Sequence, residues 1–363
     1  MRIRSILSIC CLLLSACGGG SDGGTIVIGT AGPYSEYSGD MTKKGVELAV
    51  AEINAAGGIR GRKIELLERD DSAKGKRAAA VAQEFVANPA VVGVVGHVTS
   101  GAMVAAAKVY DGNLAAIGTA TTSPQLTGIS PWVFRISSSD SINGEVIARF
   151  ASSLGRKRAA IIYENDSYGR GLAESFRRTF TGDIVSADPI SAVLPDAEPY
   201  ISYYKARGAD VIFGVGLDVS ALVLLREARR QQFDVDFVGG DGWAGIAGDT
   251  AIAEGVYVGA VFTAEDPKPE VQRFVSAFRE RYGVTPDGHS ATGYDAMQVM
   301  ARAIADAGTD RTAIRRYLAS FTTGNAYHGL TGIVRFGPGG DPVDSPYRVT
   351  RVHNGAFALA TGR

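Results

Sequence analysis

Cysteine is scarce. Cys10, Cys11 and Cys17 are the only three in 363 residues, and all lie in the opening stretch. The long body that follows has no thiol. A disulfide framework, a cysteine nucleophile and a cysteine-based metal site are therefore excluded from it. Histidine is nearly as rare: His97, His289, His328 and His353 are the four. No two of them share a helical metal-ligand spacing, and no His-Glu-x-x-His segment occurs. No Gly-x-Ser-x-Gly elbow surrounds Ser290. Gly214-Val215-Gly216 lacks the third glycine of a dinucleotide fingerprint, and there is no Walker A segment. Asp70-Asp71 suits a metal pair, or a solvated turn or helix cap, which is the commoner role of such pairs. Nothing here marks an enzyme, and neither a cofactor nor a metal is expected. The net charge is −1, so a nucleic acid is not the expected partner. No apolar run in the body reaches the roughly 20 residues that a spanning helix needs.

What is present begins at the N-terminus. Arg2 and Arg4 precede a short apolar stretch from Ile6 to Leu14, and Leu14-Ser15-Ala16-Cys17 follows. This order reads as an export signal with a small-residue processing site. A cysteine just behind that site resembles a lipobox, in which the thiol takes a lipid and becomes the new N-terminus. An ordinary cleaved signal or a buried helix is the plainer alternative. Gly18 to Gly24 is almost all glycine, the composition of a flexible tether. The expectation is a signal over 1–16, a tether over 17–24 and lipidation at Cys17, which places the body at the periplasmic or outer face of a membrane.

The body alternates strand-like and helix-like segments. Ile26 to Ile28, Lys63 to Glu68, Val91 to Val95 and Leu114 to Ile117 read as strands, with helical spacing between them. The rhythm restarts after Trp132 to Ile136. Helices over 142–154, 171–180, 201–206 and 219–231 then alternate with strands near 159–163, 184–185, 211–213, 237–238 and 257–262. Three long helices and strand-like pieces at 332–336 and 347–352 close the chain. The predicted fold class is α/β: two Rossmann-like lobes with parallel sheets and helices on both faces. Ligands in this architecture sit beyond the carboxyl ends of the strands, so the loops after Ile28, Val95, Ile117, Tyr163, Phe213 and Val238 are the ones to inspect.

Several of those loops carry a pattern. Gly32-Pro33 to Gly39-Asp40 leads into Gly45-Val46-Glu47-Leu48-Ala49-Val50-Ala51-Glu52-Ile53-Asn54. Gly57-Gly58-Ile59-Arg60-Gly61, Asp70-Asp71, Gly96-His97 with Ser100, Ala120 to Pro124, Tyr168-Gly169-Arg170-Gly171 and Tyr294 follow in order. Together they resemble the branched-chain amino acid (Leu/Ile/Val) binding proteins of ABC importers, type I periplasmic binding proteins. The resemblance covers nearly the whole body from Ile26. It implies two lobes, a three-strand hinge and a ligand in the cleft. The crossings fall near Ser138, Glu265 and Pro346, giving 25–138 plus 265–345 as one lobe and 139–264 plus 346–363 as the other. It also implies an ABC permease as partner, a monomer, and capture without chemistry.

An amino acid needs donors for its carboxylate and acceptors for its ammonium. Ser100 stands where a helix begins, so its hydroxyl and nearby N–H groups suit an anion. Thr122, in the next strand-end loop, offers a second hydroxyl. Taken alone, Ser100 reads as an N-cap and Thr122 as a turn residue; both match donor positions of the resembled family. The Ala120 carbonyl and Asp241 match its acceptor positions, with Asp one methylene shorter than the frequent Glu. Tyr37, Tyr168 and Tyr294 match its aromatic wall, with Tyr34 and Trp243 as neighbours. Three departures stand out. Leu217 replaces a Tyr of the leucine-binding members, which reshapes the side-chain pocket. Ala73 and Thr99 stand near the places of a cysteine pair found in some members. Gly101-Ala102 replaces a hydroxyl-rich stretch. A sensor of the same fold, for an amide, urea or aromatic acid, is the alternative reading.

Overall fold

A computed structural model describes residues 24–321, 324–343 and 345–361. The signal and lipidation readings, including Cys17, lie outside the described residues. No helix among the described residues is long and apolar enough to cross a membrane.

The first half runs β1 (Ile26–Gly32), α1 (Tyr37–Ala55), β2 (Ile64–Asp70), α2 (Gly75–Ala87), β3 (Val91–Gly96), α3 (Ser100–Tyr110), β4 (Ala116–Gly118) and β5 (Val133–Arg135). Its five strands are parallel, in the order β2-β1-β3-β4-β5. The second half runs α4 (Asp140–Ser153), β6 (Arg158–Glu164), α5 (Ser167–Thr179), β7 (Asp183–Ile190), α6 (Glu198–Ala206), β8 (Val211–Val215), α7 (Asp218–Arg230), β9 (Asp236–Gly239), α8 (Thr250–Ala253) and β10 (Tyr257–Ala260). The remainder is α9 (Pro269–Tyr282), α10 (Gly288–Ala307), α11 (Arg311–Ala319), the hairpin β11 (Tyr327–Gly329) and β12 (Gly332–Val334), then β13 (Arg348–His353) and β14 (Ala356–Leu359). The second sheet has the order β14-β13-β10-β9-β8-β6-β7. Its parallel part repeats the first sheet's order, with the antiparallel β13 and β14 added at one edge.

Both sheets are buried on both faces, which is why their strands read as continuous apolar runs. In the first sheet one face packs on α1, α10 and α11 through Val46, Met297 and Ile314. The other packs on α2 and α3 through Phe85 and Met103. In the second sheet α6 and α7 cover one face through Tyr204 and Leu224. The opposite face is covered by α4 and α5 through Ile147 and Phe176. The late helices α10 and α11 thus return to the first sheet, and β13 and β14 go back to the second. The chain passes between the two bodies around 136–139, 261–268 and 345–347.

The observed alternation follows the sequence pattern, with local differences. β7 is eight residues long, where only Ile184 and Val185 read as strand. It is an edge strand carrying Asp183, Asp188 and Pro189. Only an edge tolerates that composition, which otherwise signals a loop. The 3-10 helices at Pro124–Leu126 and Asp241–Gly248 and the strand β11 had no clear periodicity, whereas β12 falls within the strand-like piece at 332–336.

Candidate functional site

In each sheet the strand order reverses between two adjacent strands, β1 and β3 in one and β6 and β8 in the other. A crevice opens at the carboxyl ends of such strands. The helices that start there are α1, α3, α5 and α7, and their first turns face the other lobe. The lobes meet: the Ser123 hydroxyl donates to the Ser167 carbonyl at 2.9 Å, and α1 touches the 3-10 helix Asp241–Gly248.

Ser100 lies in the first turn of α3 and is buried. Its Oγ accepts the N–H groups of Thr122 and Ser123, each at 3.1 Å. With both lone pairs engaged, its own O–H is directed elsewhere as a donor. The sequence suggested that nearby backbone N–H groups would also serve an anion; those of Thr122 and Ser123 are instead taken up by Ser100. The N-cap of α3 is Thr99, and its side chain does not cap the helix. The N–H groups of that first turn therefore remain without a side-chain acceptor. The hydroxyls of Thr99, Thr119, Thr121 and Thr122 are buried without a hydrogen-bond partner. Ala120 lies between the last three, half-buried.

The facing lobe brings Asp241. Its Oδ1 accepts from the Tyr168 hydroxyl at 2.9 Å, and that hydroxyl oxygen accepts the Gly242 N–H at 3.1 Å. The glycine-rich loop makes this approach possible. A Cβ on Gly240 would overlap the Tyr168 hydroxyl. Gly214 and Gly239 leave room for the Trp243 indole to lie on the sheet; a Cβ on either would overlap it. Trp243 is therefore a buried floor beneath the loop and belongs to the core of its lobe.

Asp140 joins this group from the first turn of α4. It is fully buried, its N–H donates to the Thr122 carbonyl at 2.8 Å, and its Oδ2 has no partner. Burial, and next the neighbouring Asp241 charge, push the Asp140 carboxyl well above the usual carboxylate range. Burial also raises Asp241, opposed by His289 and by the Tyr168 hydrogen bond. Burial pushes the Tyr347 phenol well above its usual range, and the Asp241 and Asp140 carboxyl groups raise it further.

Sequence reasoning missed Asp140 and His289. His289 sits in the first turn of α10, buried, with Nε2 unpartnered. It is near enough to hold down the carboxyl groups of both Asp218 and Asp241, against the burial that raises them. A signal for it existed: Asp287 and Ser290 form a capping box, which fixes His289 in the first turn and hence at the cleft end. Tyr294, the residue singled out on that helix, is not brought to the group. It lies farther along α10, donates to Glu52 at 2.5 Å and packs edge-on against Phe274. Tyr37 is at the cleft end of α1 and 37 % exposed, and burial and the nearby Asp287 raise its phenol. Leu217 is the N-cap of α7, half-buried, its N–H donating to Glu164 at 2.9 Å. Tyr34 bonds to Thr30 at 3.0 Å, behind the first turn of α1.

Asp71 has a definite role. Its Oδ2 lies 2.6 Å from His97 Nδ1, and His97 Nε2 lies 3.0 Å from the Tyr110 hydroxyl. All three are fully buried, so Asp71 serves this chain. Among the described residues no cluster of His, Cys, Asp and Glu has the form of a metal site.

Two lobes of matched strand order, with donors on one rim and a carboxylate on the other, define a solute-binding protein. The family model for periplasmic binding proteins matches residues 26–356, and the chain belongs to that family. An amino acid binding protein of Pseudomonas aeruginosa is 33% identical over 305 residues, covering 79% of this chain and 80% of that one. The branched-chain amino acid transporter substrate-binding protein LivJ of Streptococcus pneumoniae, solved with isoleucine, is 30% identical. It superposes with a TM-score of 0.85 over 92% of this chain and 98% of that one. An ABC transporter substrate-binding protein of Desulfitobacterium hafniense, solved with Leu, is 32% identical, with a TM-score of 0.80 and coverage of 93% and 100%. These relatives are named as amino acid binding or ABC transporter substrate-binding proteins.

Proposed function

We propose that this chain captures an amino acid between its lobes and delivers it to an ABC permease. One observation carries the reading: Asp140 is fully buried between the Thr122 carbonyl, to which its N–H donates at 2.8 Å, and the neighbouring Asp241 carboxyl, so the Ser100–Thr122 loop and the Asp241–Tyr168 pair come to one place. The ligand carboxylate would take the Ser100 and Thr122 hydroxyls and the N-terminal turn of α3. Its ammonium would lie between the Ala120 carbonyl and Asp241. Tyr37, Tyr168 and Leu217 would border the rest of the ligand, with His289 in the place the sequence reading gave to Tyr294. Binding is a hinge closure about the crossings near Ser138, Glu265 and Pro346, with 25–138 plus 265–345 moving against 139–264 plus 346–363. The ligand shifts the open–closed balance only by its differential affinity for the two forms. The sequence Leu14-Ser15-Ala16-Cys17 supports anchoring by a lipid on the mature N-terminus, with the glycine-rich tether as spacer.

The test is calorimetric titration of the purified protein with a panel of amino acids. The reading expects one-to-one binding of at least one of them with the ligand recovered chemically intact. It also expects the Asp241→Asn variant, folded by circular dichroism, to bind that ligand at least about tenfold more weakly. Unchanged affinity in the variant removes Asp241 from the site.

A further inference from the structure

A second group of polar atoms borders the cleft beyond Asp241, and the amino acid carboxylate and ammonium do not use it. Glu36, the N-cap of α1, does not cap its helix, and its Oε2 is buried without a partner. Asp287 spends Oδ1 on the Ser290 N–H at 3.0 Å, while its Oδ2 is buried without a partner. His289 Nε2 is buried and unpartnered as well. From the other lobe Asp218 stands in the first turn of α7, against Gly245 of the 3-10 helix that carries Asp241. Glu36 feels Asp218 across the gap, and burial raises both carboxyl groups.

Carboxyl groups outnumber the basic groups at this end. Glu36, Asp218, Asp140 and Asp241 face the cleft. His289 lies among them, near Asp218 and Asp241, with its Nε2 unpartnered. Arg135 is committed elsewhere, to Asp341 at 2.7 Å and to the carbonyls of Thr121 and Ser123. Glu164 is satisfied by the Leu217 N–H and the Ser220 hydroxyl at 2.7 Å. A zwitterion brings no net charge: its carboxylate adds one negative group and its ammonium offsets one carboxylate. Glu36 then stays desolvated with its Oε2 unused, and Asp218 keeps only the N–H groups of its own helix turn, which is costly. A branched aliphatic side chain deepens that cost, because it displaces water and offers no donor. A side chain ending in a cation meets both acids.

We propose that the cleft selects an amino acid whose side chain ends in an ammonium or guanidinium group, held by Glu36 of one lobe and Asp218 of the other. Leu217 packs against the methylene stem of such a side chain, and Tyr37 offers its ring face to the cation. The cation also ties the two lobes together, since its acceptors stand on opposite sides of the gap. This inference rests on the amino acid reading above and narrows it.

The experiment is calorimetric titration of the purified protein with L-lysine, L-ornithine, L-arginine, L-leucine, L-isoleucine and L-glutamine at low and at physiological ionic strength. The expected result is that a cationic member binds at least about tenfold more tightly than leucine or glutamine, as a desolvated ion pair gives. Glu36→Gln and Asp218→Asn should each lower the cationic-to-leucine affinity ratio by about tenfold. The ratio reads selectivity and is unmoved by a general loss of folded protein. Repeating the titration in buffers of different ionisation enthalpy should show protons released on binding the cationic ligand, because it favours ionised Glu36 and Asp218. Tighter binding of leucine, isoleucine or glutamine, or an affinity ratio unchanged in both variants, overturns the inference and leaves the amino acid reading standing. Failure of every amino acid to bind overturns both.

Discussion

The Tyr168 hydroxyl donates to Asp241 Oδ1 at 2.9 Å while accepting the Gly242 N–H at 3.1 Å. One phenol thus orients the carboxylate and ties down the loop that bears it. Tyr168→Phe should weaken ligand binding about tenfold, because a hydrogen bond to a charged group contributes about 1.5–3 kcal/mol. It should also raise the Asp241 pKa further, since that bond opposes the effect of burial. Affinity measured against pH should therefore fall away at a higher pH in the variant than in the wild type.

Ser100 and Thr122 differ in how they are held. The Ser100 Oγ supports two backbone N–H groups, whereas the Thr122 hydroxyl has no partner in the chain. Thr122→Val should cost little stability, because the buried hydroxyl it removes has only the Asp140 carboxyl as a polar neighbour, and should weaken binding by about 1 kcal/mol or more. Ser100→Ala should cost both affinity and stability. Thermal unfolding with and without ligand separates the two effects.

Asp71, His97 and Tyr110 form one buried chain behind α3. His97→Leu leaves the Asp71 carboxylate buried without its ring partner and should cost about 2–4 kcal/mol in denaturant unfolding. In a double-mutant cycle with Asp71→Asn, a coupling energy of at least about 1 kcal/mol is expected.

Asp295 is fully buried in α10, and burial pushes its carboxyl up to about 6, although Thr331 and Leu330 donate to it. The folded protein therefore holds a proton that the unfolded chain releases near 3.8. The stability this contributes is fully present below that lower value and is lost as pH rises through the folded one. Against Asp295→Asn, which does not titrate, the wild type should lose about 3 kcal/mol of relative stability between pH 3.5 and 6.5. Unfolding free energies of the two proteins across that range check the sign.

Gly214 lies under the Trp243 indole with no room for a methyl group. Gly214→Ala should destabilise by about 1–3 kcal/mol through overpacking. It should also alter the near-ultraviolet dichroism of Trp243, whose displacement would carry the Asp241 loop with it.

Much of the fold was legible because both sheets are covered on both faces, so apolar runs bounded by glycine marked the strands. The loops carrying Ser100, Thr122 and Asp241 followed from the strand-end rule. β7 did not read as a strand, since an edge admits the polar residues and proline that a central strand forbids. Asp140 could not be read locally. Ser139-Asp140 looks like any helix start, and its burial arises only where the passage at 136–139 meets the loop of Thr122. His289 and Tyr294 share a helix, and periodicity alone does not say which end faces the gap. The capping residue Asp287 does.

The Ser123–Ser167 bond is a neutral hydrogen bond across the gap, beside the packing of α1 on the 3-10 helix and of α3 on α5. Such a bond contributes about 1 kcal/mol, a few-fold bias in a two-state equilibrium. Closing without cargo also strands several hydroxyls away from water. The apo protein should therefore spend most of its time ajar, and a transporter that docks only the shut form would meet few unloaded carriers to waste ATP on.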